Sequence, residues 1–246
     1  MKMLLSRRLA AEFLGTAFLV AAIVGSGVMA ERLSGGNVAL ALLANTIATG
    51  AALFALILTF GSISGAHFNP VVTLADALEG GLTWLEASGY VLVQVLGGVA
   101  GTVVAHLMFG LPVISISHHV RGGTPQFLSE FVASFGLLSV IWGCSRLRSM
   151  LVPFAVGAYI TAGYWFTSST SFANPAVTIA RALSDTFAGI RPIDVPLFII
   201  AQLFGALAAT LLFHWLVPGL DRGARNVLLS HGSEIANMEI SGTAAR

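Results

Sequence analysis

Charge is what this sequence has least of. Only 9% of its 246 residues are Asp, Glu, Lys or Arg, against about 25% in an ordinary soluble domain. That deficit excludes a solvated globular surface. The formal net charge is +1 and no basic block occurs, so there is no electrostatic footprint for nucleic acid. Cysteine is nearly missing. Cys144 stands alone, which excludes an internal disulfide and a cysteine-built metal cage. The six histidines are scattered without metal-ligand spacing. His118 and His119 are adjacent in a polar stretch and read as exposed side chains. No nucleophile has a base in a useful sequence context, and acids and histidines form no dense cluster. An enzyme is therefore not expected, and neither a cofactor nor a metal is implied.

What is present is apolar length. Mean hydropathy is +0.88. Long apolar runs lie near 9–30, 38–60, 87–109, 127–144, 150–167 and 195–217. A spanning helix needs roughly 20 residues, within about 17–25, so six spans are expected in a lipid bilayer. The first run follows Lys2, Arg7 and Arg8 and imitates a signal peptide. Its 22 residues, Leu9 to Ala30, exceed the usual signal core of about 7–15, so it reads as a retained span. Lys2, Arg7, Arg8, Arg146, Arg148, Arg222, Arg225 and Arg246 fall on one side of a six-span arrangement; Arg32, Arg121, Arg181 and Arg191 fall on the other. The heavier side is expected to be cytoplasmic. Both termini, and a polar tail over 218–246, are then cytoplasmic, and the protein is a multi-pass component of a cell (inner) membrane.

Between the second and third runs stands SISGAHFNPVVTLADAL, and between the fifth and sixth STSFANPAVTIARAL. Proline suits the first turn of a helix and asparagine its N-cap. Asn69-Pro70-Val71 and Asn174-Pro175-Ala176 therefore read as helix starts. About ten residues of helical character follow each, enough for half a bilayer at ~1.5 Å per residue. The repetition is wider. AEFLGTAFL in the first run matches SEFVASFGL in the fourth, and VLVQVLGGVAG in the third matches IIAQLFGALAA in the sixth. Each half reads span, span, broken segment, span. Three spans per half turn the halves upside down relative to each other, the signature of an inverted repeat. The expected fold is all-α: six transmembrane helices and two re-entrant half-helices in a channel domain over 1–217, with halves near 8–109 and 127–217. The half-helices meet N-terminus to N-terminus, and their positive dipole ends converge on a polar waist. That field opposes cations and admits neutral hydrogen-bonding solutes. A coupled secondary transporter could also use inverted repeats and broken helices, and is the alternative.

AEFLGT, SGAHFNPVVT, the Gln94-to-Gly98 stretch and ANPAVT resemble the aquaporin and glycerol-facilitator family, over about residues 8 to 217. The resemblance implies a homotetramer in the bilayer with one pore per subunit. Val71 stands where alanine is usual. The family's outer constriction falls by counting on Thr49, Tyr164, Ser171 and Val177, with Tyr159, Trp165 and Phe166 as alternatives to Tyr164. Val177 occupies the place of the family's usual arginine. A constriction built this way is expected to be wider and less polar than a water-only filter. It suits uncharged partners larger than water: glycerol, urea, or arsenite as As(OH)3, which some bacterial relatives of similar pattern handle. Arg181, four residues after Val177, is either a partial replacement for the missing arginine or a surface residue bonded toward Asp185. The resemblance also gives Glu12 and Glu130 the task of bracing the re-entrant loops. His67 either lines the pore or makes a structural loop bond. Gly97, Gly98, Gly101, Gly205, Ala206 and Ala209 fit close helix crossings.

Overall fold

A computed structural model describes residues 3–147 and 149–217. The expected tail, 218–246, lies outside these residues, as do Lys2, Arg148, Arg222, Arg225 and Arg246 of the charge argument. Among the described residues eight α-helices follow one another: α1 (Leu5–Leu33), α2 (Val38–Ser64), α3 (Pro70–Leu78), α4 (Trp84–Phe109), α5 (Thr124–Leu147), α6 (Val152–Phe166), α7 (Pro175–Arg181) and α8 (Val195–Leu216). Two 3₁₀ turns, Ser149–Leu151 and Pro192–Asp194, join them. No strand occurs among the described residues.

α4 outruns its apolar run because polar residues cap it. α4 starts at Trp84 because Thr83 and Glu86 form a reciprocal capping box, which satisfies two of the helix's unpaired N–H groups. Asn37 caps α2 by accepting from the Leu40 N–H. The fifth apolar run differs from expectation. It forms the turn Ser149–Leu151 and then a helix of 15 residues with proline in its first turn. That helix is about 22 Å long. Five helices, α1, α2, α4, α5 and α8, are long and apolar enough to cross a bilayer; α6 is not among them.

α1 packs on α4 and α2, α5 packs on α8, and α2 on α6. The two main crossings bring backbone against backbone. A Cβ on Gly97 would run into the Phe13 carbonyl oxygen of α1, and one on Gly205 into the Phe131 carbonyl oxygen of α5. Small residues allow this approach, and it is how helices associate where lipid removes the hydrophobic drive between them. Outward faces carry large apolar side chains, among them Phe18, Ile47, Leu92 and Leu211. Such a surface is stable only against lipid or another apolar surface.

The chain order defines two faces: a near face where α1 begins and a far face where it ends. α3 has 9 residues and α7 has 7. Each packs on α4 and α8, and they touch each other. On the far face the connector 110–123 is tied to the chain after α7. Ser115 and Ser117 donate backbone N–H bonds to Leu183 and Ala182, and Arg191 donates to His119.

Candidate functional site

The loops entering α3 and α7 carry unusual backbone. Ala66, Phe68, Thr170, Ser171 and Ala173 all have φ between 47° and 63°. Outside glycine this left-handed conformation costs about 1–3 kcal/mol per residue and persists only where surroundings over-determine it. One buried glutamate per half does that. Glu12 accepts from the Ser64 hydroxyl at 2.6 Å, the His67 and Phe68 N–H groups at 3.0 and 2.7 Å, and the Gln94 amide at 2.8 Å. Glu130 accepts from the Ser169 hydroxyl at 2.6 Å, the Phe172 and Ala173 N–H groups at 2.9 Å each, and the Gln202 amide at 2.6 Å. Both carboxylates are fully buried. Hydrogen bonds to a charged group contribute about 1.5–3 kcal/mol each, so four per carboxylate offset its burial and fix the strained loop. Gln94 and Gln202 also donate to Thr73 and Thr178, at 2.9 Å in both halves.

Each loop ends at its asparagine. Asn69 Oδ1 accepts from the Val71 N–H at 3.0 Å, and Asn174 Oδ1 from the Ala176 and Val177 N–H groups at 3.0 and 3.2 Å. Caps of this kind stabilise a helix by about 1 kcal/mol. The amides also reach across. Asn69 Nδ2 donates to the Ala173 carbonyl at 2.7 Å, and Asn174 Nδ2 to the Phe68 carbonyl at 2.8 Å. The halves are thus stitched together at the tips of α3 and α7. A primary amide has two N–H donors, so each asparagine keeps a second one.

Both asparagines line a single cavity with about 50 Å³ of room for water-sized occupants. Thr49, Tyr164, Ser171, Val177, Arg181 and His67 line the same cavity. Much of the remaining wall is aliphatic, with Leu53, Ile57, Ile141, Val156 and Ile160. Tyr164 donates its hydroxyl to Thr49 Oγ1 at 3.2 Å. The Ser171 hydroxyl is buried without a protein partner among the described residues. Ser171 fits because residue 163 is glycine; a Cβ there would lie 2.6 Å from its Oγ. Pro70, Val71, Pro175 and Ala176 are buried behind this wall, and Val71 packs in the hydrophobic core.

Arg181 differs from the surface reading. It is 2% exposed, lines the cavity, donates Nε to the Ala188 carbonyl, and has its guanidinium 3.4 Å from the Phe172 ring centroid. Asp185 pairs elsewhere, accepting from the His118 N–H at 2.9 Å and meeting its Nδ1 at 3.0 Å. That backbone bond, with the His118 ring, holds the Asp185 carboxyl below its ordinary range. Burial of Arg181 follows from its one-turn distance from Val177, which keeps it on the cavity side of α7. His118 and His119 are exposed. His67 combines both expectations: it lines the cavity, and its Nδ1 lies 3.2 Å from Thr73 Oγ1. Of the aromatic alternatives to Tyr164, Trp165 and Phe166 are exposed, and Tyr159 donates to the Val132 carbonyl at 3.3 Å. Sequence reasoning missed Arg121. It is 8% exposed and bonded to the second loop. Its signal is indirect: the second half of the repeat has Phe198 where the first has Tyr90.

The profile of the major intrinsic protein family matches residues 1–171 and 147–244. The chain is 56% identical over 213 residues to the aquaglyceroporin AqpS of Rhizobium meliloti, covering 87% of this chain and 91% of that protein. It is 31% identical over 252 residues to the aquaporin NIP1-1 of Arabidopsis thaliana, covering 96% and 82% of the two. The X-ray structure of the aquaglyceroporin from Plasmodium falciparum shares the fold with a TM-score of 0.68 at 20% identity, over 89% of this chain and 99% of that one.

Proposed function

This chain belongs to the major intrinsic protein family, and on that premise we propose that it passes glycerol, urea and arsenite as As(OH)3 as well as water. Its fold is that of a passive channel for small uncharged solutes such as water and glycerol, and it is not an enzyme. The observation that carries the finer reading is convergence. Two capping asparagines and the four residues that the family resemblance assigns to the constriction, Thr49, Tyr164, Ser171 and Val177, line one narrow cavity. The asparagine pair is the waist that excludes ions. The other four, with Arg181 beside them, are the constriction that sets solute size. Methyl groups of Val177 and the free Ser171 hydroxyl suit a solute that is part apolar and part hydrogen-bonding. Glu12 and Glu130 brace the loops that carry both.

On this reading six helices span the membrane, α6 with help from the turn before it, and α3 and α7 enter from opposite faces. Residues 1–217 form the channel domain, with inverted halves at about 8–109 and 127–217. The termini and the 218–246 tail are cytoplasmic, and four copies assemble with one pore each in a cell (inner) membrane. Charge counts support the orientation; the family supports the tetramer.

The test is a set of liposomes reconstituted identically and assayed for osmotic water flux, glycerol flux and arsenite uptake. All three are expected to exceed those of protein-free vesicles. Asn69→Leu and Asn174→Leu remove the amide donor and leave a buried carbonyl on the opposite loop unpaired, a cost of about 1–3 kcal/mol. Reduced flux is expected from both at equal protein per vesicle. Unchanged flux in both variants would reject the waist, and glycerol and arsenite at background would reject the solute class.

A further inference from the structure

The halves repeat closely around their glutamates, yet they differ at one aromatic position. Tyr90 stands four residues before Gln94, and Phe198 four before Gln202. The two rings hold equivalent places. Tyr90 packs edge-on to His67 with centroids 5.6 Å apart, and Phe198 packs edge-on to Phe172 at 5.2 Å. His67 and Phe172 each lie two residues before a capping asparagine. The Tyr90 hydroxyl donates to the Ser64 carbonyl at 2.9 Å, and Arg8 Nε donates to that hydroxyl at 2.8 Å. Phe198 has no hydroxyl to offer. The equivalent carbonyl, that of Ser169, instead accepts from Arg121 Nη1 at 3.2 Å.

Arg121 comes from the connector between α4 and α5 and reaches inward. Its Nη1 also lies 3.4 Å from Thr170 Oγ1, and its Nε donates to the Gly189 carbonyl at 2.8 Å. Its guanidinium stands 5.0 Å from the Phe172 ring centroid. Asp194 accepts the Arg121 backbone N–H at 2.9 Å, but its carboxylate is paired with the Arg191 side chain at 3.0 Å. Among the described residues the Arg121 guanidinium has no carboxylate at ion-pair distance. Burial pulls it down to about 10, so it remains a cation at neutral pH. A buried cation held by carbonyls and one hydroxyl is costly. The segment it holds is strained in a way the first loop is not. Thr170 has φ +63° where the first loop has Gly65 at +93°. A β-branched residue in that region is an outlier. Ser171 follows directly, is also left-handed, and lines the cavity.

We propose that Arg121 is a positioning residue for the constriction: by holding the Ser169 carbonyl and the Thr170 hydroxyl it sets Ser171 in the cavity wall, the task the Tyr90 hydroxyl performs for the other loop. The assignment rests on the reading that Ser171, Thr49, Tyr164 and Val177 set solute size. Arg121 itself touches no solute.

The experiment compares the parent, Arg121→Met, and Arg121→Met combined with Phe198→Tyr in liposomes, and reads the glycerol-to-water permeability ratio. A variant that only lost folded protein would lower both permeabilities together and leave the ratio alone. Arg121→Met is expected to change the ratio by about threefold or more, the size of one lost hydrogen bond. Phe198→Tyr is expected to return the ratio toward the parental value, because its hydroxyl arrives where Tyr90 delivers one in the other half. An unchanged ratio in Arg121→Met, or a changed ratio that Phe198→Tyr does not correct, overturns the proposal. If Arg121→Met yields no folded protein, the double variant decides. Folded protein with the parental ratio supports the proposal, and any other result overturns it. Val177→Arg, assayed alongside, separates the two levels. If it leaves the ratio unchanged, the constriction reading fails and this inference falls with it. If it moves the ratio and Arg121→Met does not, only the role of Arg121 fails.

Discussion

Val177 is 2% exposed and presents methyl groups to the cavity, while Arg181 lies one turn farther along α7 in the same wall. Val177→Arg adds a second guanidinium to a space that holds about 50 Å³. It narrows the constriction and sets two cations near each other, where low dielectric strengthens their repulsion. Glycerol is expected to slow more than water, which can pass in single file while bonding to the new side chain. The check is the glycerol-to-water permeability ratio at equal protein per vesicle; a ratio that holds or rises sinks the idea that residue 177 sets solute size. Much of this wall was legible in the sequence. Thr49 and Ser171 came from the family resemblance, which places the outer constriction at fixed offsets from the two asparagines. Arg181 stood between two readings, constriction or surface, and Arg121 was not legible. Asp185 looked like the partner of Arg181 by proximity in sequence, but His118, 67 residues away, takes it. Arg121 sits in a connector with no periodicity, and only the folded chain brings it to Ser169.

At the scale of elements, the broken helices were readable because proline and asparagine act locally, through a missing N–H and a capping carbonyl. The fifth apolar run already reads as short; what was not readable is that it opens as a 3₁₀ turn, since an apolar run does not reveal where such a turn gives way to a helix. Crossings between helices are set by which residues lack a side chain. At Gly205 a Cβ would meet the Phe131 carbonyl, which is backbone and cannot rotate aside. At Gly143, on α5, the nearest atom is a Phe213 ring carbon at 3.6 Å, an ordinary contact. Gly205→Ala is therefore expected to push α8 off α5 and destabilise by about 1–3 kcal/mol. It also strains the Gln202-to-Glu130 bond of 2.6 Å one turn away. Gly143→Ala is expected to be neutral or slightly stabilising, since glycine within a helix costs about 0.5–1 kcal/mol. Thermal unfolding in detergent separates the two, and equal midpoints would contradict the backbone crossing.

For the whole molecule, the repeat was visible because each half keeps its own glutamate, asparagine and glutamine, and these fold into matching hydrogen-bond sets. The meeting of the two broken segments has an electrostatic result that neither half has alone. α3 and α7 aim their N-termini at one another across the asparagine pair. Each helix end carries the equivalent of up to about half a positive charge. Arg181 adds a full charge on the far side. A cation crossing the cavity meets all three, whereas an uncharged solute incurs no charge penalty and meets hydrogen-bonding groups and aliphatic side chains. Coupling to protons would need a titratable group in the wall that changes charge during transport; His67 is in the wall, with its Nδ1 already 3.2 Å from Thr73 Oγ1. Glu12 and Glu130 lie behind the loops, each already bound by four donors. They are poorly placed for that cycle, since giving up those donors would release the strained loops. Glycerol or arsenite uptake into vesicles is therefore expected to rise linearly with concentration at low millimolar levels and to ignore an imposed proton gradient. The measurement is the initial rate with and without a protonophore. A rate that collapses when the gradient is removed, or solute accumulated above the outside concentration, would make the protein a coupled transporter built on the same inverted halves.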